Sequence, residues 1–141
     1  MNGVENGEAL TSIFGYWPSF HDAEVHSLTL DRNDSEPSAS PSLEAVIHVF
    51  EMTDRVNDKN FFICRHHTLV RMKFFCIDNL QLDNFNCQNS LSELAISDIS
   101  DRQLETIKFE VDFLASWGVS CKFVCRTISI LSAEPFVPLG S

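Results

Sequence analysis

The densest group of side chains able to do chemistry is His21, Asp22, Glu24 and His26, four titratable residues within six positions. On an extended strand Asp22, Glu24 and His26 fall on one face at steps of roughly 7 Å, close enough for long side chains to converge on an ion. With His48 added, the set could serve a small metal-dependent hydrolase or isomerase. Set against that, a good metal site needs three or more ligands in one geometry, and the sequence does not name the rest. The same residues serve equally well as a turn at a sheet edge with its acids in water. His48 lies in an apolar run, where such a ring is satisfied by a neighbouring carbonyl or hydroxyl. His66 and His67 are adjacent, so on a regular strand they point to opposite faces and cannot chelate together unless the strand bulges.

Other chemistries find less support. The five glycines are scattered and form no phosphate loop. Ser12, Ser19 and Ser27 have no nucleophile-elbow context. Cys64 stands near His66 and His67, but no positive surroundings activate it, and it reads as a packing residue. Glu105, Glu110 and Asp112 alternate with apolar residues and read as a solvated face. No catalytic residue, metal or cofactor is expected.

These residues must be positioned by a mainly β scaffold. Leu10, Ile13 and Phe14 give one apolar stripe, predicting a short helix over 7–14 that Gly15 ends and Pro18 prevents from continuing. Strands are expected at 23–31, 43–53, 61–63, 67–77, 80–85, 91–96, 106–113 and 119–131, the last two joined as a hairpin through 114–118. Helix and strand compete over 91–96, and "Leu-Ala-Ile" tips the balance to strand. Residues 43–53 are apolar on both faces, which predicts a central, doubly covered strand. A Ser/Pro-rich loop near 32–42 and a loose tail near 133–141 are expected, with 54–60 a polar turn. The fold class is α+β, mainly β: a curled antiparallel sheet or partial barrel of about seven strands with one N-terminal helix, in a single domain spanning 1–141.

Composition narrows the partners. A formal charge of −10 repels phosphate backbones and anionic lipid, which argues against nucleic-acid and membrane partners, and would speed association with a basic protein. Basic residues Arg65, Arg71, Lys73, Lys122 and Arg126 interrupt that field. Twelve Phe against one Tyr point to a Phe-rich core. An odd number of cysteines, five, with no CxxC pair argues against a disulfide scaffold or zinc ribbon. The first ten residues have neither a basic nor a long apolar region, so a signal peptide is not expected and the cytoplasm is.

The segment Trp17-Pro18-Ser19-Phe20-His21-Asp22-Ala23-Glu24-Val25 resembles the signature of the immunity protein 50 family of bacterial polymorphic-toxin systems. The resemblance continues through Leu43 to Thr53, His67 to Val70, Phe85 to Asn89 and Cys125 to Pro135, nearly all of the chain after the helix. It implies a cytoplasmic antidote that binds and neutralises a cognate toxin, not an enzyme, and it carries no catalytic residues. Within the motif, Trp17, Pro18 and Phe20 suit pinning the helix to the sheet, and Asn86 and Asn89 suit holding a turn. Asp22, Glu24 and His21 are then the candidate toxin contacts. A homo-oligomeric module pairing through an exposed strand edge, as in a homodimer, is the remaining reading.

Overall fold

The computed structural model describes residues 1–34 and 40–137. Its elements in order are β1 (Val4–Glu5), α1 (Glu8–Phe14), β2 (Glu24–Asp34), β3 (Ser40–Val56), β4 (Phe62–Phe75), β5 (Asp78–Asp83), β6 (Ser90–Asp98), a single 3-10 turn (Ser100–Arg102), β7 (Phe109–Trp117), β8 (Ser120–Cys125) and β9 (Thr127–Pro135). All nine strands join one sheet in the order β1-β9-β4-β3-β2-β6-β7-β8-β5. The expected curled, mainly β architecture with one N-terminal helix is what forms.

The curl follows from the aromatic core. Strand β4 is separated from β7 in the sheet by β3, β2 and β6. Yet the Phe74 ring of β4 lies 6.0 Å from Phe113 of β7 and 5.0 Å from Phe123 of β8. The sheet therefore turns back on itself, laying β9-β4-β3-β2 over β6-β7-β8. Alternate residues of each strand fill the space between: Leu43, Ala45, Ile47 and Val49 of β3, Val70, Met72 and Phe74 of β4, Val111 and Phe113 of β7, all fully buried. The seam is narrow: β2 and β6 share a single paired position, Glu24 with Ser90.

Helix α1 forms as its apolar stripe requires, with Leu10 and Phe14 buried. Gly15 ends it at φ 81, its N–H donating to the Thr11 carbonyl at 2.8 Å.

Several boundaries differ from the expectation. The sheet is mixed rather than purely antiparallel, because the two-residue β1 runs parallel to β9. The run 119–131 is two strands: β8 pairs with β7, and β9 crosses to β4 on the other half. The switch falls at Arg126, whose N–H donates to the Phe75 carbonyl, and the buried positions change phase there from Cys121, Phe123 and Cys125 to Ile128 and Ile130. Residues 62–63 and 67–75 belong to one long β4, and β3 continues to Val56, taking in the first three residues of the expected polar turn 54–60. Strands β2 and β3 reach Asp34 and Ser40, so residues 32–34 and 40–42 of the loop expected near 32–42 are in strands, and residues 35–39 lie outside the described residues. Of the tail expected near 133–141, residues 133–135 pair with β4 and residues 138–141 lie outside the described residues. The stretch 91–96 is strand, within β6. Strand β3 is interior, and on its outer face Ser42, Val46 and His48 are buried, with the His26 and Phe136 rings packed on His48.

Candidate binding surface

The motif segment runs from Tyr16 to Glu24 as a corner between α1 and β2. Pro18 and Phe20 are buried, and the Trp17 ring packs on Phe20 at 5.9 Å. Phe20 and Asp22 both take left-handed backbone, φ 62 and φ 64, with fully buried Ala23 following. This crumpling puts Asp22 ahead of the strand rather than on it. The Asp22 N–H donates to the Leu91 carbonyl at 2.8 Å, so the backbone is tied to β6 while the side chain stays 40% exposed.

His21 is held over the same corner. A carbonyl can only accept, so Nδ1 donates to the Ser92 carbonyl at 3.1 Å; Nε2 lies 3.6 Å from Asp22 Oδ2. Glu24 faces elsewhere: its Oε1 accepts the Asn89 backbone N–H at 2.7 Å. His26 sits at a register shift in β2, between Val25 and Ser27, and its ring joins a different group. The three residues expected to share a face thus make three separate sets of contacts. Among the described residues no three His, Cys, Asp or Glu side chains are arranged to hold a metal ion.

Asn89 is the most fully bonded side chain of the motif. It is 2% exposed. Its Oδ1 accepts from the Asn86 N–H at 2.9 Å and the Val119 N–H at 3.1 Å; its Nδ2 donates to the Asn86 carbonyl at 2.8 Å and, at 3.4 Å, to the Val25 carbonyl. Gly118 at φ 80 passes directly over this knot. One side chain therefore ties the 86–89 loop, the β7–β8 turn and β2 together.

The strand bulge that His66 and His67 would need is present. Val49 pairs with Thr68 but Glu51 pairs with Arg65, leaving Phe50 opposite both histidines, and His66 takes φ 57. The bulge does not bring the rings together. His66 packs on Phe14 at 5.9 Å, while His67 Nδ1 lies 2.9 Å from His48 Nε2. His26, Phe50 and Phe136 complete this outer-face patch around His48. Burial, then the neighbouring charges of His67 and His26, push the His48 pKa down to about 4, so its ring is neutral at pH 7.

Burial pushes Cys121 and Cys125 up to about 12, and Cys64 is raised by burial and then by the Asp22 carboxylate. Glu110 lies 4.0 Å from both Arg102 and Lys122, a solvated ion-pair face.

Two surface features were not anticipated. A groove of about 490 Å³ runs between Trp17, Pro18 and Ser19 on one side and residues 92–97 of β6 on the other. More pronounced is the β3–β4 ribbon. Beyond His48 no β2 residue pairs with β3, and before Thr68 no β9 residue pairs with β4. The two strands continue alone, carrying Met52, Val56, Phe61, Phe62 and Ile63 at 48, 50, 67, 56 and 42% exposure. Not all of the phenylalanine is in the core, then. Phe61-Phe62-Ile63 directly after a polar turn was the available signal, and the strong expectation of core Phe concealed it. The ribbon's base is clamped by Glu51, which accepts from Arg65 at 2.6 Å and from the Tyr16 hydroxyl at 3.1 Å. The Arg65 guanidinium holds the Glu51 carboxyl below its usual range.

The family model Immunity protein 50 matches residues 6–136, nearly the whole chain. No curated protein and no solved structure matches it.

Proposed function

The chain belongs to the immunity protein 50 family, and from that premise we propose that it binds a cognate bacterial toxin domain in the cytoplasm and neutralises it by occluding the toxin's working surface. The observation that carries this reading is the family match over residues 6–136. The formal charge of −10 supports a basic partner, since opposite fields steer encounter and raise association rates. Among the described residues no helix is long and apolar enough to cross a membrane.

The acidic corner is the proposed electrostatic contact: Asp22 and His21 are presented on the corner, and Glu24 stands at the start of β2 behind them. A mechanism by steric occlusion asks no catalysis of these side chains. It asks only that they be held rigidly, because a preorganised surface loses less freedom on binding. The Asp22 N–H to Leu91 and the Asn89 knot supply that rigidity.

The test is co-expression with the toxin-like domain encoded nearest to this chain's gene, scored by cell survival and by co-purification. Survival with a stable complex is expected. Death of the cells, with no complex recovered when both proteins are made, overturns the reading.

A further inference from the structure

We propose that the isolated β3–β4 ribbon, residues 50–67, is the arm that enters the partner, and that it seats in an apolar cleft of the toxin domain. The proposal rests on the toxin-binding reading above and adds where and by what chemistry the contact is made.

The ribbon's shape is the first argument. Seven residues of β3 beyond Val49, at about 3.3 Å each, extend it roughly 23 Å from the last position shared with the four-stranded half. It is two strands wide, and among the described residues no third strand pairs with either outer edge; only at its base does the His67 carbonyl accept from the Phe136 N–H at 3.0 Å. Two-stranded ribbons are marginal in water on their own, yet this one is long and stiffened at both ends. At its tip Asn57 Oδ1 accepts from the N–H groups of Lys59 and Phe61 at 2.9 and 3.0 Å. At its base Glu51 binds Arg65 and Tyr16. A narrow, preorganised projection fits a cleft rather than a flat face.

The side chains are the second argument. Met52 pairs with Cys64 and Val56 with Phe62, so Met52, Val56 and Phe62 share one face. Phe61 and Ile63 alternate to the other. Five large apolar side chains, each at least 42% exposed, surround one ribbon. Exposed apolar side chains clustered in this way mark interaction sites, and aromatic anchors supply most of the affinity at such sites.

Charge is the third argument, and it chooses the partner's chemistry. Glu51, Asp54 and Asp58 in the ribbon are balanced by Arg55, Lys59 and Arg65. The whole formal charge of −10 therefore resides elsewhere on the chain. A neutral apolar arm on an acidic body matches an apolar cleft bordered by basic surface: the body steers, the arm anchors. Anchoring by the arm is then insensitive to salt, whereas steering by the body is not.

The experiment compares the full chain with its Phe61→Ser/Phe62→Ser and Asp22→Lys variants. Binding to a catalytically inactivated form of the neighbouring toxin domain is measured by calorimetry and stopped-flow at low and high salt. Both phenylalanines are exposed, so the fold tolerates the change; unfolding midpoints check this, and each single Ser variant serves if the double variant is damaged. The expected result is an affinity loss of about 50-fold or more for the arm variant, equal at both salts. Asp22→Lys is expected to slow association at low salt only. Full affinity in the arm variant overturns the proposal while leaving the immunity reading intact. So does a self-associating wild-type chain that the arm variant renders monomeric with toxin affinity unchanged, since the ribbon's occupant is then a second copy. Failure of the wild-type chain to bind or protect removes the immunity reading, and this one with it.

Discussion

Replacing Asn89 by Ala should be among the most damaging single changes outside the aromatic core. The side chain is 2% exposed and makes four hydrogen bonds, three of them at 3.1 Å or less. At about 1 kcal/mol net for each well-formed bond, with little from the fourth at 3.4 Å, the loss is about 3 kcal/mol. The Val119 N–H has no other acceptor among the hydrogen bonds of the turn and would be left buried and unsatisfied, which pushes the cost upward. Urea unfolding at neutral pH measures it. With a slope of about 2 kcal/mol/M the midpoint should fall by about 1.5 M, and the slope itself should not change. Glu24 supplies an internal control. Its Oε1 accepts the Asn89 N–H, so Glu24→Gln, which keeps an acceptor, should cost less than about 1 kcal/mol, and Glu24→Ala about 1–3 kcal/mol. A loss under about 0.5 kcal/mol for Asn89→Ala would refute the knot as a stabilising unit. Equal stability of Glu24→Gln and Glu24→Ala would show that the Glu24 bond contributes nothing to the fold.

Three further outcomes follow from the same geometry. Gly118→Ala should cost about 3 kcal/mol or more, because a Cβ there meets the Gln88 carbonyl and comes within 2.7 Å of Asn89 Oδ1, whereas Gly15→Ala, with φ 81 but nothing within 4 Å, should cost only about 1 kcal/mol; thermal denaturation of both variants separates clash from backbone strain. His48, whose folded pKa is depressed to about 4 from 6.5, contributes stability that is fully present above pH 6.5 and is lost as pH falls from 6.5 toward 4. The full shift is worth about 3 kcal/mol, and screening by water at the outer face reduces it to about 1–2 kcal/mol. His48→Leu should therefore narrow the difference in stability between pH 7 and pH 4.5, and an unchanged difference would count against a neutral buried ring. Native-state alkylation at mildly alkaline pH should modify exposed Cys87 and spare Cys121 and Cys125 until the chain unfolds; equal labelling of all three would contradict their burial.

Alternation along the chain determined most of the scaffold. A strand needs only that every second residue be apolar, so the strands around Val70–Phe74 and Phe109–Phe113 were legible directly from residue order, as were the doubly apolar run Leu43–Thr53 and helix α1 with its apolar stripe and Gly15 end. The motif Trp17–Val25 was legible too, and with it the family that the match over residues 6–136 shows. What residue order does not encode is which strand lies beside which. The split of 119–131 at Arg126 is a choice between two partners, β7 and β4, made by the long-range packing of Phe74, Phe113 and Phe123. The fate of polar side chains is decided in the same way. Asp22, Glu24 and His26 are spaced to share a strand face, but a left-handed residue and a bulge, both fixed by hydrogen bonds to β6 and β3, send them to different neighbours. Phe61 and Phe62 have the composition of a core and stand in water, because burial depends on whether another strand arrives to cover them, and beyond Val49 and Thr68 none of the described strands does.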